Sequence, residues 1–137
     1  MKLKNLKLTY MKKQEKIYTQ HAEHNEWLSK LKFYEDEISI LKNRLGEIVS
    51  KNNQKEVLAL VEHFQNQLIV QQNNIDEISH TIKVDEDALE NEVIKNPVAV
   101  DHRHVEYHSG EKEAVESFEK NFNDLRSEFK TFAAKWM

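Results

Sequence analysis

The sequence predicts an all-α protein that folds as an elongated, up-down-up antiparallel three-helix bundle with coiled-coil-like packing. Only two Gly and one Pro occur among its 137 residues, so the chain has few of the residues that form the tight turns between strands. Charged residues make up 32% of the chain, a composition typical of long helices. Apolar residues recur at alternating steps of three and four along three segments, as on packed helix faces. We therefore expect a single domain over residues 1–137.

The first predicted helix, helix A, spans about residues 12–50. The apolar residues at steps of three and four along it form a line that begins at Trp27. Extended towards the N-terminus, this line passes through His24, Gln20 and Ile17. Residues 1–16 carry six Lys and one Glu, so we expect residues 1–11 to form a basic, solvated leader. The apolar line consists of Trp27, Leu31, Tyr34, Ile38, Leu41, Leu45 and Ile48.

The second predicted helix, helix B, spans about residues 53–94 and returns antiparallel to helix A, because the loop between them is short. Asn53 followed by Glu56 resembles an N-cap with its reciprocal carboxylate. Two members of the helix B line are polar, Gln71 and Asp85. The full line consists of Val57, Val61, Phe64, Leu68, Gln71, Ile75, Ile78, Ile82, Asp85 and Leu89.

The third predicted helix, helix C, spans about residues 98–136. It follows Asn96-Pro97, where we expect helix B to end and helix C to begin, since Pro fits the first turn of a helix. Gly110 is a place where the helix could kink, but we favour a continuous or mildly bent helix. Its apolar line consists of Val115, Phe118, Phe122, Leu125, Phe129, Phe132 and Trp136, and extends back through Glu111, His108, His104 and Asp101.

Composition also limits the function classes. The chain has a formal net charge of −4 although its N-terminus is basic, so the acidic body argues against nucleic-acid binding. No apolar stretch approaches the length of a membrane span, and the N-terminus lacks a signal-peptide pattern, so we expect a cytoplasmic protein. With no Cys, thiol chemistry is excluded. No phosphate loop or catalytic motif is present, which favours a non-enzymatic protein.

Histidines are the one sign of chemistry in the sequence. The predicted loops place six of the seven at one end of the bundle: His21, His24, His80, His102, His104 and His108. His104 and His108 lie one helical turn apart and point the same way, as two ligands of one metal ion do. The expected ligand pool for zinc, iron or manganese is His24, Asp85, His104, His108 and Glu111, with His21 and His80 peripheral.

Two functional hypotheses remain open at this stage. In the first, the chain is a non-enzymatic bundle that acts through protein contacts, with another protein or with its own copy. Its contact surface would be the apolar residues that lie off the predicted seams: Phe33, Ile40, Ile69 and Val70. In the second, the histidine end binds a transition metal. The competing structural interpretation is a hydrated bundle end where His and carboxylate groups pair with one another.

The motif His104-Val105-Glu106-Tyr107-His108 is superficially similar to one of hemerythrin-type di-iron bundles. Those bundles have four helices and a His-x-x-x-Glu step on a second helix, where this chain offers His63 followed by Gln67. Ferritin-like bundles need Glu-x-x-His on two helices, and the chain does not carry that pattern twice. Neither family is matched. The whole chain resembles small, uncharacterised all-helical bacterial proteins of unknown function, a resemblance that implies no activity or cofactor.

Overall fold

A computed structural model of the chain contains three α-helices: α1, Lys2–Lys51; α2, Lys55–Lys95; and α3, His102–Trp136. It describes the backbone of residues 2–95 and 102–137, and the side chains of residues 16–91 and 108–137. Over the described backbone there is no strand, and the three helices pack against one another. The predicted all-α three-helix bundle is therefore confirmed.

The helix ends differ from expectation in two places. α1 begins at Lys2, about ten residues before the expected start, because residues 2–11 contain neither Gly nor Pro and nothing in them stops a helix. The side chains of this basic leader lie outside the described residues. In α2 the backbone amide of Leu58 donates to the carbonyl of Gln54 at 3.1 Å. Gln54 is therefore the N-cap, and the expectation of Asn53 was wrong by one residue.

α3 runs through Gly110 without a break, so the continuous helix that we favoured is confirmed. No Gly in the described backbone has a positive φ, and an added Cβ at Gly110 would meet no atom within 4 Å. Helical conformation at this position therefore needs no special backbone freedom. The expected start of helix C near residue 98 lies outside the described residues.

The core follows the predicted apolar lines. From Trp27 to Ile48 every residue of the helix A line is buried except Tyr34, which is half-buried. The core includes a row of aromatic rings on α3, where Phe118 and Phe122 lie stacked with centroids 5.8 Å apart. Its members are Trp27, Leu31, Ile38, Leu41, Leu45, Ile48, Val57, Val61, Phe64, Leu68, Ile75, Ile82, Val115, Phe118, Phe122, Leu125, Phe129, Phe132 and Ala133.

Asn52 fixes the end of the bundle where α1 and α3 both terminate. Its side-chain amide donates to the carbonyl of Ile48 at 2.9 Å and to the carbonyl of Trp136 at 2.8 Å. These carbonyls belong to the last turns of α1 and α3, where backbone acceptors lack partners within their own helix. Since the C-terminal ends of α1 and α3 meet here, α2 runs between them in the opposite direction. The polar groups described next lie away from this end, towards the end of α2 and the start of α3.

No helix in the described part of the chain is long and apolar enough to cross a membrane.

Candidate functional site

Four side chains from three helices form a polar layer within the core, which we call the histidine layer: His24, Glu86, His108 and Glu111. His24 lies on the α1 seam, one heptad before Leu31, and is 1% exposed. Glu111 lies on the α3 seam and is 5% exposed. The helix geometry that buries the apolar residues therefore buries these two polar residues as well. Such groups are costly to bury unless they are paired or bind a cation.

His24 is held between two carboxylates. Its Nδ1 lies 2.5 Å from Oε2 of Glu86 on α2, and its Nε2 lies 3.0 Å from Oε2 of Glu111 on α3. Burial alone would lower the pKa of His24, but the hydrogen bonds and charges of Glu111 and Glu86 outweigh it and raise the pKa above the ordinary value. Burial works to raise the pKa of Glu86, and its bonds to His24 and His21 outweigh this and lower it.

His108 reaches the same layer from α3. Its Nδ1 lies 3.4 Å from Nε2 of His24, and its Nε2 lies 2.8 Å from Oε2 of Glu23. Trp27 covers both imidazoles, with ring centroids 4.8 Å from His108 and 5.8 Å from His24. The indole is itself part of the apolar core, so the histidine layer borders that core directly.

Glu111 is the least satisfied member of the layer. Both of its side-chain oxygens are buried, and their neighbours are Nε2 of His24, which lies 3.0 Å from Oε2, and the carboxyl group of Asp85. Burial raises the pKa of Glu111, the interaction with His24 lowers it, and the neighbouring Asp85 carboxyl raises it, so the net direction is upward. The Glu111 carboxyl therefore holds its proton more tightly than an exposed glutamate does.

The two histidines use their outer nitrogens in the same way. His24 Nδ1 faces Glu86 and His108 Nε2 faces Glu23, so each carboxylate can accept an N–H from the ring that it faces. The remaining ring nitrogens, His24 Nε2 and His108 Nδ1, lie 3.4 Å apart beside an oxygen of Glu111, and we call them the inner nitrogens. Three electron-rich atoms thus converge. A proton on His24 or a metal ion would satisfy them.

The spacing of these atoms suits a metal ion. Donor atoms of His24, His108 and Glu111 all lie within 4.8 Å of one another. Two ligands about 2.1 Å from a tetrahedral zinc ion lie about 3.4 Å apart. The separations of 3.0 Å and 3.4 Å from His24 Nε2 are close to that value, so the three side chains are near enough to one another to share an ion.

The structure brings together three of the five predicted ligands, His24, His108 and Glu111. Asp85 is half-buried beside Glu111. The side chain of His104 lies outside the described residues, so its place in the ligand pool stays a prediction. Of the two peripheral histidines, His21 is exposed and bonds Glu86 through Nδ1, and His80 is exposed and lines a neighbouring cavity.

Sequence reasoning missed two carboxylates of this site, Glu86 and Glu23. Glu86 lies between Asp85 and Asp87, and the helix B line does not pass through it. The turn between α1 and α2 covers residues 52–54, so helix levels place His24 nearer residue 82 than residue 86. Side chains on a helix lean towards its N-terminus, which brings Glu86 back by about one turn. This direction of helix side chains was the feature from which the pairing of Glu86 with His24 could have been predicted.

A second group of ligand atoms lies on the surface beside the layer. His21, Glu86 and Glu90 bring donor atoms within 4.8 Å of one another, but His21 and Glu90 are exposed. Glu86 already bonds both His21 and His24, so this group is an outer extension of the histidine layer.

Comparison with known proteins finds no matching family model, no matching curated protein and no matching solved structure.

Proposed function

We propose that the chain binds a divalent transition-metal ion through His24, His108 and Glu111. The observation that carries this proposal is the arrangement of the two imidazoles: inner nitrogens 3.4 Å apart, outer nitrogens each bonded to a carboxylate. Metal-bound histidines characteristically donate their second N–H to a carboxylate, which orients the ring and makes it a better ligand. Glu86 and Glu23 would serve as these outer partners.

The donor set narrows the choice of ion. Two imidazoles and one carboxylate suit zinc, iron or manganese, and the chain contains no Cys that would favour a thiolate-bound metal. Three protein ligands leave at least one coordination position for water or a further ligand. His104, one turn before His108, is the sequence-predicted candidate for an additional position.

Zinc titration of metal-free protein by isothermal calorimetry tests the proposal. Zinc should bind stoichiometrically, and Glu111→Gln and His108→Gln should each weaken binding strongly. Loss of an outer partner of a metal ligand costs about 10–100-fold in affinity, so Glu86→Gln should fall in that range and the two ligand variants at or beyond its upper end. His63→Gln is the matched control, because His63 is exposed on α2 and outside the histidine layer.

Two results would count against a metal site. Zinc affinity that is the same in Glu111→Gln, His108→Gln and His63→Gln would show that surface groups bind the ion. An absence of binding to zinc, iron and manganese would leave a proton on His24 as the occupant of the layer. Circular dichroism of each variant is needed alongside, since a variant that unfolds loses the site for another reason.

A second candidate function is action through protein contacts, with another protein or with a second copy of the chain. The observation that favours it is the exposure of large apolar residues outside the seams. Phe33 is 60% exposed and Ile69 46% exposed, but they line different grooves, one towards α3 and one between α1 and α2. A single contact surface would therefore include Phe33 or Ile69, but not both. The cytoplasmic location stays a prediction from the sequence.

Sedimentation velocity tests the self-association form of this candidate. Wild-type protein should sediment as a dimer or larger species. Ile69→Glu should lower the mass if the α1–α2 groove is the interface, and Phe33→Glu if the other groove is. Both residues are exposed, so neither change should unfold the chain. A monomeric wild type would rule out self-association.

A further inference from the structure

A second cluster of metal-ligating side chains lies on the solvent side of the histidine layer, and we call it the outer cluster: His21, Glu86 and Glu90. Its donor atoms lie within 4.8 Å of one another. His21 belongs to α1, whereas Glu86 and Glu90 lie one turn apart on α2 and therefore share a face of that helix. The outer cluster thus joins two helices near the surface, as the histidine layer joins three helices within the core.

Glu86 links the outer cluster to the histidine layer through its two oxygens. Oε1 bonds Nδ1 of His21, and Oε2 lies 2.5 Å from Nδ1 of His24. The Glu86 side chain is 13% exposed, so its carboxylate is held in a fixed direction by buried contacts. The exposed residues His21 and Glu90 therefore gather around a carboxylate that the core keeps in place, which lowers the cost of ordering a ligand set.

The charges of the outer cluster favour a cation. Carboxylates one turn apart on a helix repel each other, as Glu86 and Glu90 do here. The ion pairs that Glu86 makes with described residues are to His21 and His24, and neither ring is charged unless it is protonated. Protonated His21 would bring one positive charge to two carboxylates. A divalent ion would bring two.

The ring of His21 has a partner on its second nitrogen as well. Nε2 lies 3.3 Å from the side-chain amide of Asn25, one turn further along α1. By a half-turn the amide can present its oxygen to an N–H at Nε2, which leaves the lone pair of Nδ1 directed at the two carboxylates. Metal-bound histidines characteristically donate their second N–H to an oxygen acceptor in this way. Asn25 is thus placed to orient His21 as a ligand.

We propose that the outer cluster is a second binding site for a divalent transition-metal ion, with Nδ1 of His21 and one oxygen each of Glu86 and Glu90 as ligands. One imidazole and two carboxylates form a donor set that suits zinc or manganese. Because the His21 side chain is 48% exposed, water completes the coordination. The inference goes beyond the metal site of the histidine layer and does not depend on it, since the two sites share no ligand.

Zinc titration of metal-free Glu111→Gln protein isolates the outer cluster, because this variant lacks a ligand of the histidine layer. Zinc should still bind stoichiometrically. Addition of Glu90→Gln or His21→Gln should weaken that binding by at least about tenfold, since even the loss of an outer partner costs about 10–100-fold. Glu62→Gln and His63→Gln are the matched controls. They make the same replacements at exposed residues of α2 outside both clusters, and they should leave zinc affinity unchanged.

Two results would overturn the second site: no zinc binding to Glu111→Gln protein, or binding that Glu90→Gln and His21→Gln leave as tight as the two controls do. The His108→Gln background should give the same result and guards against misfolding of Glu111→Gln, with circular dichroism of each variant as the check. Failure of the proposed function gives a different pattern. Zinc binding to the otherwise unchanged protein would then be lost through Glu90→Gln and not through Glu111→Gln.

Discussion

Asn52 offers a direct test of how the far end of the bundle is held together. It is half-buried in the turn between α1 and α2, and its amide donates to the carbonyls of Ile48 and Trp136. Asn52→Ala removes both hydrogen bonds and leaves two helix-terminal acceptors to water. A neutral hydrogen bond contributes about 0.5–1.5 kcal/mol net, so the free energy of unfolding should fall by about 1–3 kcal/mol.

Asn52→Asp separates the hydrogen bonds from the shape of the side chain. A carboxylate has no N–H to donate, and it places a negative charge at the C-terminal ends of two helices, where the helix dipole is also negative. Each unfavourable charge–dipole contact costs about 0.3–1 kcal/mol, so Asp should be more destabilising than Ala. Protonation of the carboxyl at acid pH should narrow that gap, because the acid form removes the charge and supplies one donor.

Urea denaturation followed by circular dichroism measures these differences, provided that the slope with urea is the same for all variants. Asn53→Ala and Asn53→Asp are the controls, since Asn53 is the exposed neighbour in the same turn and should change stability by no more than about 0.5 kcal/mol. If Asn52→Asp is no worse than Asn52→Ala, or if the Asn53 variants match them, the two carbonyl contacts do not stabilise the fold as described.

Three further changes probe the histidine layer and the helices. In metal-free protein, the raised pKa of His24 predicts that the free energy of unfolding falls as pH rises above 6.5 towards the folded-state value, since the folded state binds that proton more tightly. The lowered pKa of Glu86 predicts a second fall below pH 4.5, and the raised pKa of Glu111 predicts that stability already declines as pH rises above 4.5, so urea titrations should place the maximum near pH 4.5. Gly46→Ala should raise the free energy of unfolding by about 1 kcal/mol, because Gly46 is helical and an added Cβ meets no atom, and an unchanged melting temperature would contradict this. Gln71→Leu should also stabilise the chain by about 1 kcal/mol or more, since Oε1 of Gln71 is buried and has no hydrogen-bond partner among the described side chains, and a lower midpoint in urea would show that its amide is needed.

The helix packing was predictable because one physical signal dominates it. A helix turns once per 3.6 residues, so apolar residues at steps of three and four necessarily share a face. That reasoning placed Gln71 and His24 in the core despite their polarity, and both are buried. It did not predict the hydrogen bond from Asn52 to the carbonyl of Trp136. That contact depends on where two helices end, which the spacing of residues within one helix does not determine.

The sequence was enough to predict which residues of the candidate site lie at the same height along the bundle. It was not enough to predict which side chains contact one another. Loop lengths fix which residues lie at the same height, and that was enough to group His24, His108 and Glu111. Which carboxylate faces which ring nitrogen depends on side-chain direction and on small shifts of each helix along its axis. Glu86 and Glu23 became visible only in three dimensions, as the partners of the outer nitrogens of His24 and His108.

The polar composition of the histidine layer is not a requirement of the fold. One heptad along α1 from His24, the seam is filled by Leu31, and on α3 Val115 and Phe118 follow Glu111 as buried apolar residues. Replacing a buried group of charges with packed apolar side chains is often neutral or stabilising, because desolvation offsets much of their attraction. Apolar side chains in place of all four members of the layer would therefore be compatible with the bundle. The property that such a replacement would remove is the convergence of two imidazole nitrogens and a carboxylate oxygen, which is the arrangement on which the proposed metal site depends.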